Sequence, residues 1–175
     1  MMRLRHVLDL LCFLVLLFCL SVFSGQAGEL ATSTIDAQVR ITGAVEQPLT
    51  FHAADLATLP RQTLRARDHQ GRESVFEGVA LVELLQRAGV PLGKELRGDR
   101  MVTYVVVGAP DGYRVMFALP EIDPAFSDRL ILLADRRDQQ PLSPGEGPLR
   151  RIVPGEKRQA RWARQVTSAT IRRAE

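Results

Sequence analysis

The sequence predicts an α+β domain on three observations: short runs of β-branched or alternating residues, one helix with a clear apolar repeat, and Pro and Gly between them. The first run, Val39, Ile41 and Ala44-Val45, alternates and ends at Glu46-Gln47-Pro48. Leu49 to Phe51 reads as a short strand. Ala53, Leu56, Ala57 and Leu59 then keep helical spacing for one or two turns until Pro60 stops them. Thr63 to Arg67 and Ser74 to Phe76 read as strands on either side of the polar turn Asp68-His69-Gln70-Gly71, and Glu77-Gly78 is expected to break the second. The clearest helix follows. Leu81, Leu84, Leu85 and Ala88 repeat at three and four residues, Gly89 ends the helix and Pro91 comes after it, so Leu84 and Leu85 are predicted core residues.

Further along, Met101 to Val107 and Tyr113 to Phe117 form a hairpin signal across Gly108-Ala109-Pro110-Asp111-Gly112, in which Gly112 tolerates positive φ. Pro120 to Phe126 is expected as a short helix, Leu130 to Ala134 as a buried strand and Asp135 to Gln140 as a polar reversal. Three prolines and two glycines make Pro141 to Pro148 a loop. Leu149 to Val153 is the next strand, closed by Pro154-Gly155. Ala160 to Ile171 is expected to start as a helical turn and end as a strand.

Ahead of this pattern, Arg3 and Arg5 precede the uncharged run Leu10 to Phe23, and Gly25-Gln26-Ala27 supplies small residues at the positions a signal peptidase reads. Residues 1–27 are read as a secretory signal peptide, 28–38 as a flexible leader and 39–175 as one domain. The alternative is an uncleaved anchor over Val7 to Phe23, although the 14-residue run falls short of the roughly 20 apolar residues of a bilayer span. Lipidation at Cys19 is disfavoured by the bulky Phe18 before it. Cleavage after Ala27 leaves 148 residues and removes both cysteines, so the exported form has no thiol, no disulfide and no thiolate metal ligand. Arg3, Arg5 and Asp9 account for +1 of the net charge of +3, leaving +2 spread among mixed signs. That is an ordinary soluble surface. Export to the periplasm argues against nucleic acid as a partner.

Phe76-Glu77-Gly78-Val79-Ala80-Leu81-Val82-Glu83-Leu84-Leu85 with Ala88-Gly89-Val90, then Asp111-Gly112-Tyr113, Leu130 to Ala134, Pro141-Leu142, and Gly147-Pro148-Leu149-Arg150-Arg151-Ile152-Val153-Pro154-Gly155 with Arg161-Trp162 form an ordered series over roughly residues 39–172. This series resembles the oxidoreductase molybdopterin-binding domain of the sulfite oxidase superfamily. The resemblance implies that family's mixed α+β fold, a mixed sheet with few short helices. It also implies a molybdenum-ligating cysteine shortly before the segment matching Phe76 to Val79. Here that stretch, Leu64 to Glu73, has no cysteine. The Gly-Tyr that commonly follows the family's Val-Pro-Gly turn is replaced by Glu156-Lys157-Arg158-Gln159. The expected outcome is a kept fold without molybdenum redox catalysis and without a metal.

Candidate cleft residues follow from the same resemblance. Arg150, Arg151, Lys157, Arg158, Arg161 and Arg164 crowd around the Pro154-Gly155 turn, which in the family lies against the pterin cofactor. Arg150, Arg151 and Arg161 are therefore candidates for an anion pocket, since guanidinium forks suit phosphate or carboxylate. A solvated basic edge is the competing reading. His69 is a candidate because it stands where the ligand loop should lie, although a polar turn explains it as well. Tyr113 follows the Asp111-Gly112 turn at a matching position. Trp162 is expected in the core or cleft wall with a partner for its indole N–H. No residue is assigned as a general acid or base.

These readings favour a periplasmic protein that binds a small anionic ligand or a periplasmic or membrane protein partner. One rival is a molybdopterin-dependent oxidoreductase that holds its cofactor without a protein thiolate, with Arg151 and Arg161 on the cofactor phosphate and Tyr113 near the metal. Another is an accessory module of a membrane signalling protein.

Overall fold

A computed structural model describes residues 37–68 and 70–175. Residues 1–36, which hold the stretch read as a signal peptide and most of the expected leader, and His69 lie outside the described residues. The first sheet has the strand order β2-β1-β10-β5-β6, formed by β1 (Gln38–Gly43), β2 (Leu49–His52), β5 (Thr103–Gly108), β6 (Arg114–Ala118) and β10 (Ser168–Arg173). β1 and β10 run parallel; the other pairs are antiparallel. The second sheet has the order β3-β4-β7-β8, formed by β3 (Arg61–Arg67), β4 (Glu73–Ala80), β7 (Leu132–Arg137) and β8 (Gln140–Pro141), with β9 (Arg150–Ile152) also pairing with β7. Among the described residues three short α-helices, α1 (Ala53–Thr58), α2 (Leu81–Arg87) and α3 (Leu119–Ile122), complete the α+β architecture. Among the described residues no helix is long and apolar enough to cross a membrane.

Alternation dictates which face each strand buries. Val39 and Ile41 of β1, Val105 and Val107 of β5, Phe117 of β6, and Ala169 and Ile171 of β10 point into one core with Phe76, Val79, Leu132 and Ile152 of the second sheet. Leu84 and Leu85 of α2 are both 0 % exposed, as the helical repeat predicts. The opposite face of the first sheet carries Arg40, Thr42, Arg114, Met116 and Arg172, all half-buried or exposed.

Several boundaries differ from expectation. β1 begins at Gln38, one residue before the expected Val39, and Gln38 pairs with His52. Glu77-Gly78 does not break β4. The strand runs on to Ala80, with the irregularity absorbed as a register shift between Glu77 and Gly78 against β7. Glycine is required there because a Cβ at Gly78 would lie 2.0 Å from the Leu133 carbonyl oxygen. The strand expected over Leu130 to Ala134 begins at Leu132 and continues through Arg137, because Arg136 and Arg137 find partners in β8 and β4; the reversal falls on Asp138 and Gln139, both at positive φ. The helix expected over Pro120 to Phe126 is only the single turn Leu119–Ile122.

Candidate functional site

A cleft of about 300 Å³ opens between Arg65, Arg67 and Glu73 of the β3–β4 hairpin and Pro154, Gly155, Glu156 and Trp162 of the segment after β9. Topology brings these two stretches together: β3 and β4 form a hairpin, β4 pairs with β7, and β7 carries β9 on its other edge. Gln159 ties the two stretches together by donating its side-chain amide to the Arg67 carbonyl. Trp162 forms the wall. It is buried, its Nε1–H donates to the Val153 carbonyl at 2.8 Å, and it meets Phe76 edge-on with centroids 5.8 Å apart.

At the tip of the hairpin Asp68 organises the turn. Its Oδ1 accepts from the backbone N–H of Gln70 at 2.9 Å and of Arg72 at 3.0 Å, and its Oδ2 accepts from Arg72 Nε at 3.1 Å and Arg137 Nη2 at 3.2 Å. Burial works to raise this carboxyl, but the bonds from Arg72 and Gln70 outweigh it and hold the group at about 2. Arg137 also donates to Ser74 Oγ at 2.9 Å and approaches Glu146 at 3.7 Å, and Glu146 in turn pairs with Arg150. A continuous network thus runs from the β3–β4 turn to β9.

The arginine candidates are built in rather than presented. Arg150 is 6 % and Arg151 1 % exposed, so neither belongs to a solvated edge. Alternation has no bearing here, because all three residues of β9 are buried. Arg150 lies over Trp162, 5.6 Å from the ring centroid, and its side chain bonds Glu146. Burial lowers its pKa, opposed by Glu146. Arg151 lies 4.6 Å and Arg161 4.2 Å from the centroid of Phe117. The Arg151 guanidinium donates twice to the Arg161 carbonyl, from Nε at 2.6 Å and from Nη2. Burial, with Arg161 close by, pushes Arg151 down to about 9. Arg161 pairs with Glu156 at 2.5 Å and Glu121 at 3.0 Å. For Arg161 burial is outweighed by these two carboxylates, and its pKa is raised. Tyr113, 44 % exposed, reaches the same loop by donating its hydroxyl to the Ala160 carbonyl.

The structure therefore brings Tyr113, Arg151 and Arg161 into one cluster and places Arg150 in the neighbouring network. Sequence reasoning missed the carboxylates that complete both. Glu146 stands four residues before Arg150 and Glu156 five before Arg161, spacings that could have been read. Glu121 lies forty residues from Arg161, with no local signal.

Whether these residues suit a molybdenum cofactor is a matter of donor chemistry. A soft thiolate ties that metal to protein, and the sequence has no cysteine after Cys19. Among the described residues no three His, Cys, Asp or Glu side chains gather as a ligand set, and both oxygens of Asp68 are already engaged. A cofactor phosphate needs an open guanidinium. Arg151 Nη1 is buried without a partner, but so is Glu156 Oε2, and a carboxylate oxygen in this cluster repels an oxyanion. These residues do not fit a thiolate-held molybdenum centre with an arginine-bound phosphate.

Two packed sheets, few short helices and a cleft between the β3–β4 hairpin and the segment after β9 define a domain of sulfite-oxidase-like fold. The chain belongs to the oxidoreductase molybdopterin-binding domain family, whose model matches residues 29–175. Among solved structures it is similar to the sulfane dehydrogenase SoxCD from Paracoccus pantotrophus, with a TM-score of 0.62 and 22 % identity over 77 % of this chain. At that identity the likeness concerns the fold. This chain spans 38 % of the length of that one. No curated protein matches the sequence.

Proposed function

We propose that this is an exported, periplasmic binding domain, one that uses a molybdopterin-oxidoreductase-type fold to hold a ligand or partner and performs no molybdenum redox catalysis. The observation that carries this reading is the internal pairing of the candidate arginines. Asp68 occupies the turn from which the family's thiolate would come, and Arg150 and Arg161 are matched by Glu146, Glu156 and Glu121. A guanidinium already paired with a carboxylate, as in Arg150 and Arg161, gains little from an anionic cofactor, because the new bond would replace one already made. Export is supported by the charged start, the apolar run and Gly25-Gln26-Ala27.

Metal and pterin analysis of protein purified from its own cells, grown with molybdate, tests the reading. Molybdenum should fall far below one per chain, and no sulfite- or sulfoxide-linked electron transfer should appear. Stoichiometric molybdenum with pterin, retained through gel filtration, overturns it. Mass spectrometry of the same material should find an N-terminus at or near Gly28; an intact Met1 chain in the membrane fraction would mean an anchor.

A further inference from the structure

The open face of the first sheet carries three arginines whose chemistry differs from that of the cleft. Arg40, Arg114 and Arg172 project from β1, β6 and β10, all exposed, and none forms an ion pair with a described residue. Arg114 stands opposite Gly108, Gly108 opposite Ser168, and Ser168 opposite Arg40, so these four make one row across the sheet. Arg172 lies four residues along β10 from Ser168, with Thr170 between them on the same face.

Between Arg114 and Arg172 the face sinks into a groove of about 360 Å³ floored by Val106, Gly108, Ser168 and Thr170. Gly108 keeps it open, since a Cβ there would lie 2.8 Å from Ser168 Oγ. No carboxylate lines the groove. Ser168 Oγ makes no hydrogen bond to a described residue, and Thr170 Oγ1 has only the Thr42 hydroxyl at 3.3 Å. Two guanidinium forks and two hydroxyl donors around a small depression, with no competing acid, are the donor set of an oxyanion.

We propose that this groove binds a small free dianion of the phosphate class, held between Arg114 and Arg172 with Ser168 and Thr170 donating from below and Arg40 adding long-range attraction. The site is separate from the cleft and stands whether or not the cleft carries a cofactor. Its size suits one tetrahedral oxyanion with a small substituent. The unpaired arginines are also free to turn toward such a ligand without breaking an existing bond, unlike Arg150 or Arg161.

Titration of the isotopically labelled protein with inorganic phosphate tests the proposal. Amide resonances of Val106, Gly108, Ser168 and Thr170 should move in a saturable way, with affinity falling as sodium chloride rises. Arg114→Ala with Arg172→Ala should weaken phosphate binding at least about tenfold, while the melting temperature without phosphate stays that of the parent. Arg158→Ala, on the other basic stretch, should bind as the parent does. The proposal fails if phosphate moves no resonance in the groove, if the shifts map instead to residues 150–161, or if the double variant binds unchanged. It fails equally if free phosphate is inert and only vesicles containing phosphatidylglycerol bind through this face.

Discussion

Arg150, Arg151 and Arg161 lie against Phe117 and Trp162 with Glu146, Glu156 and Glu121 around them, whereas Arg40, Arg114 and Arg172 stand on an open sheet face with no acid opposite. Both regions would be scored alike by counting arginines. They differ in what each charge already does. A buried guanidinium is tolerable only when hydrogen bonds and carboxylates compensate its lost hydration, so the first cluster is committed to holding β9 and the 156–161 segment in place. A solvated guanidinium on a strand has no such obligation and keeps its donors for a ligand. Proximity to the cleft drew attention to the first set; availability belongs to the second.

The largest effect that would sharpen this contrast is expected from Glu156→Gln. The side chain keeps its size but no longer neutralises Arg161 and Arg151, and breaking a largely buried pair costs about 3 kcal/mol. Urea unfolding should show the midpoint falling with an unchanged slope. A midpoint equal to the parent's would mean that the cluster is not held by its carboxylates.

A smaller effect, confined to acid, is expected at Asp68. Its carboxyl sits at about 2 in the fold against an ordinary value of about 3.8. A depressed carboxyl contributes stability that is fully present above the ordinary value and is lost as pH falls toward 2. Asp138 is depressed too, chiefly by the Val75 N–H, and adds to the same acid limb. Asp68→Asn should therefore have a shallower decline in melting temperature between pH 4 and pH 2 than the parent. Parallel curves would remove Asp68 from the account of the turn.

The smallest effect belongs to the open face. Arg114→Ala should change stability by less than about 0.5 kcal/mol, as a surface substitution without a partner does. A loss as large as that of Glu156→Gln would show that Arg114 is structural, and the contrast between the two regions would collapse.

How legible the site was depended on the separation of its parts along the chain. Asp68 was visible as a turn residue, Trp162 as a wall residue needing a partner, and Tyr113 as the residue after a hairpin turn. Reading Arg150 and Arg151 as either a pocket or a solvated edge failed to anticipate a third outcome, burial with built-in partners. Adjacent residues of a strand normally face opposite sides, yet both neighbours are covered here, Arg150 by Trp162 and Arg151 by Phe117.

The sequence by itself determined the α+β class, the helix face of Leu81, Leu84 and Leu85, the hairpin around Gly112, and membership in the molybdopterin-binding family, because each rests on local periodicity, turn chemistry or ordered motifs. It also determined that no thiolate follows Cys19. Only the tertiary structure decided that β4 runs through Glu77-Gly78, since that depends on the Leu133 carbonyl approaching from β7. It likewise decided which arginines are paired. Glu121 and Arg161 meet across forty residues because α3 and the segment after β9 pack on the same strand, β6, and the electrostatics of a guanidinium depend on what lies within a few ångströms in space, not on its neighbours in the chain.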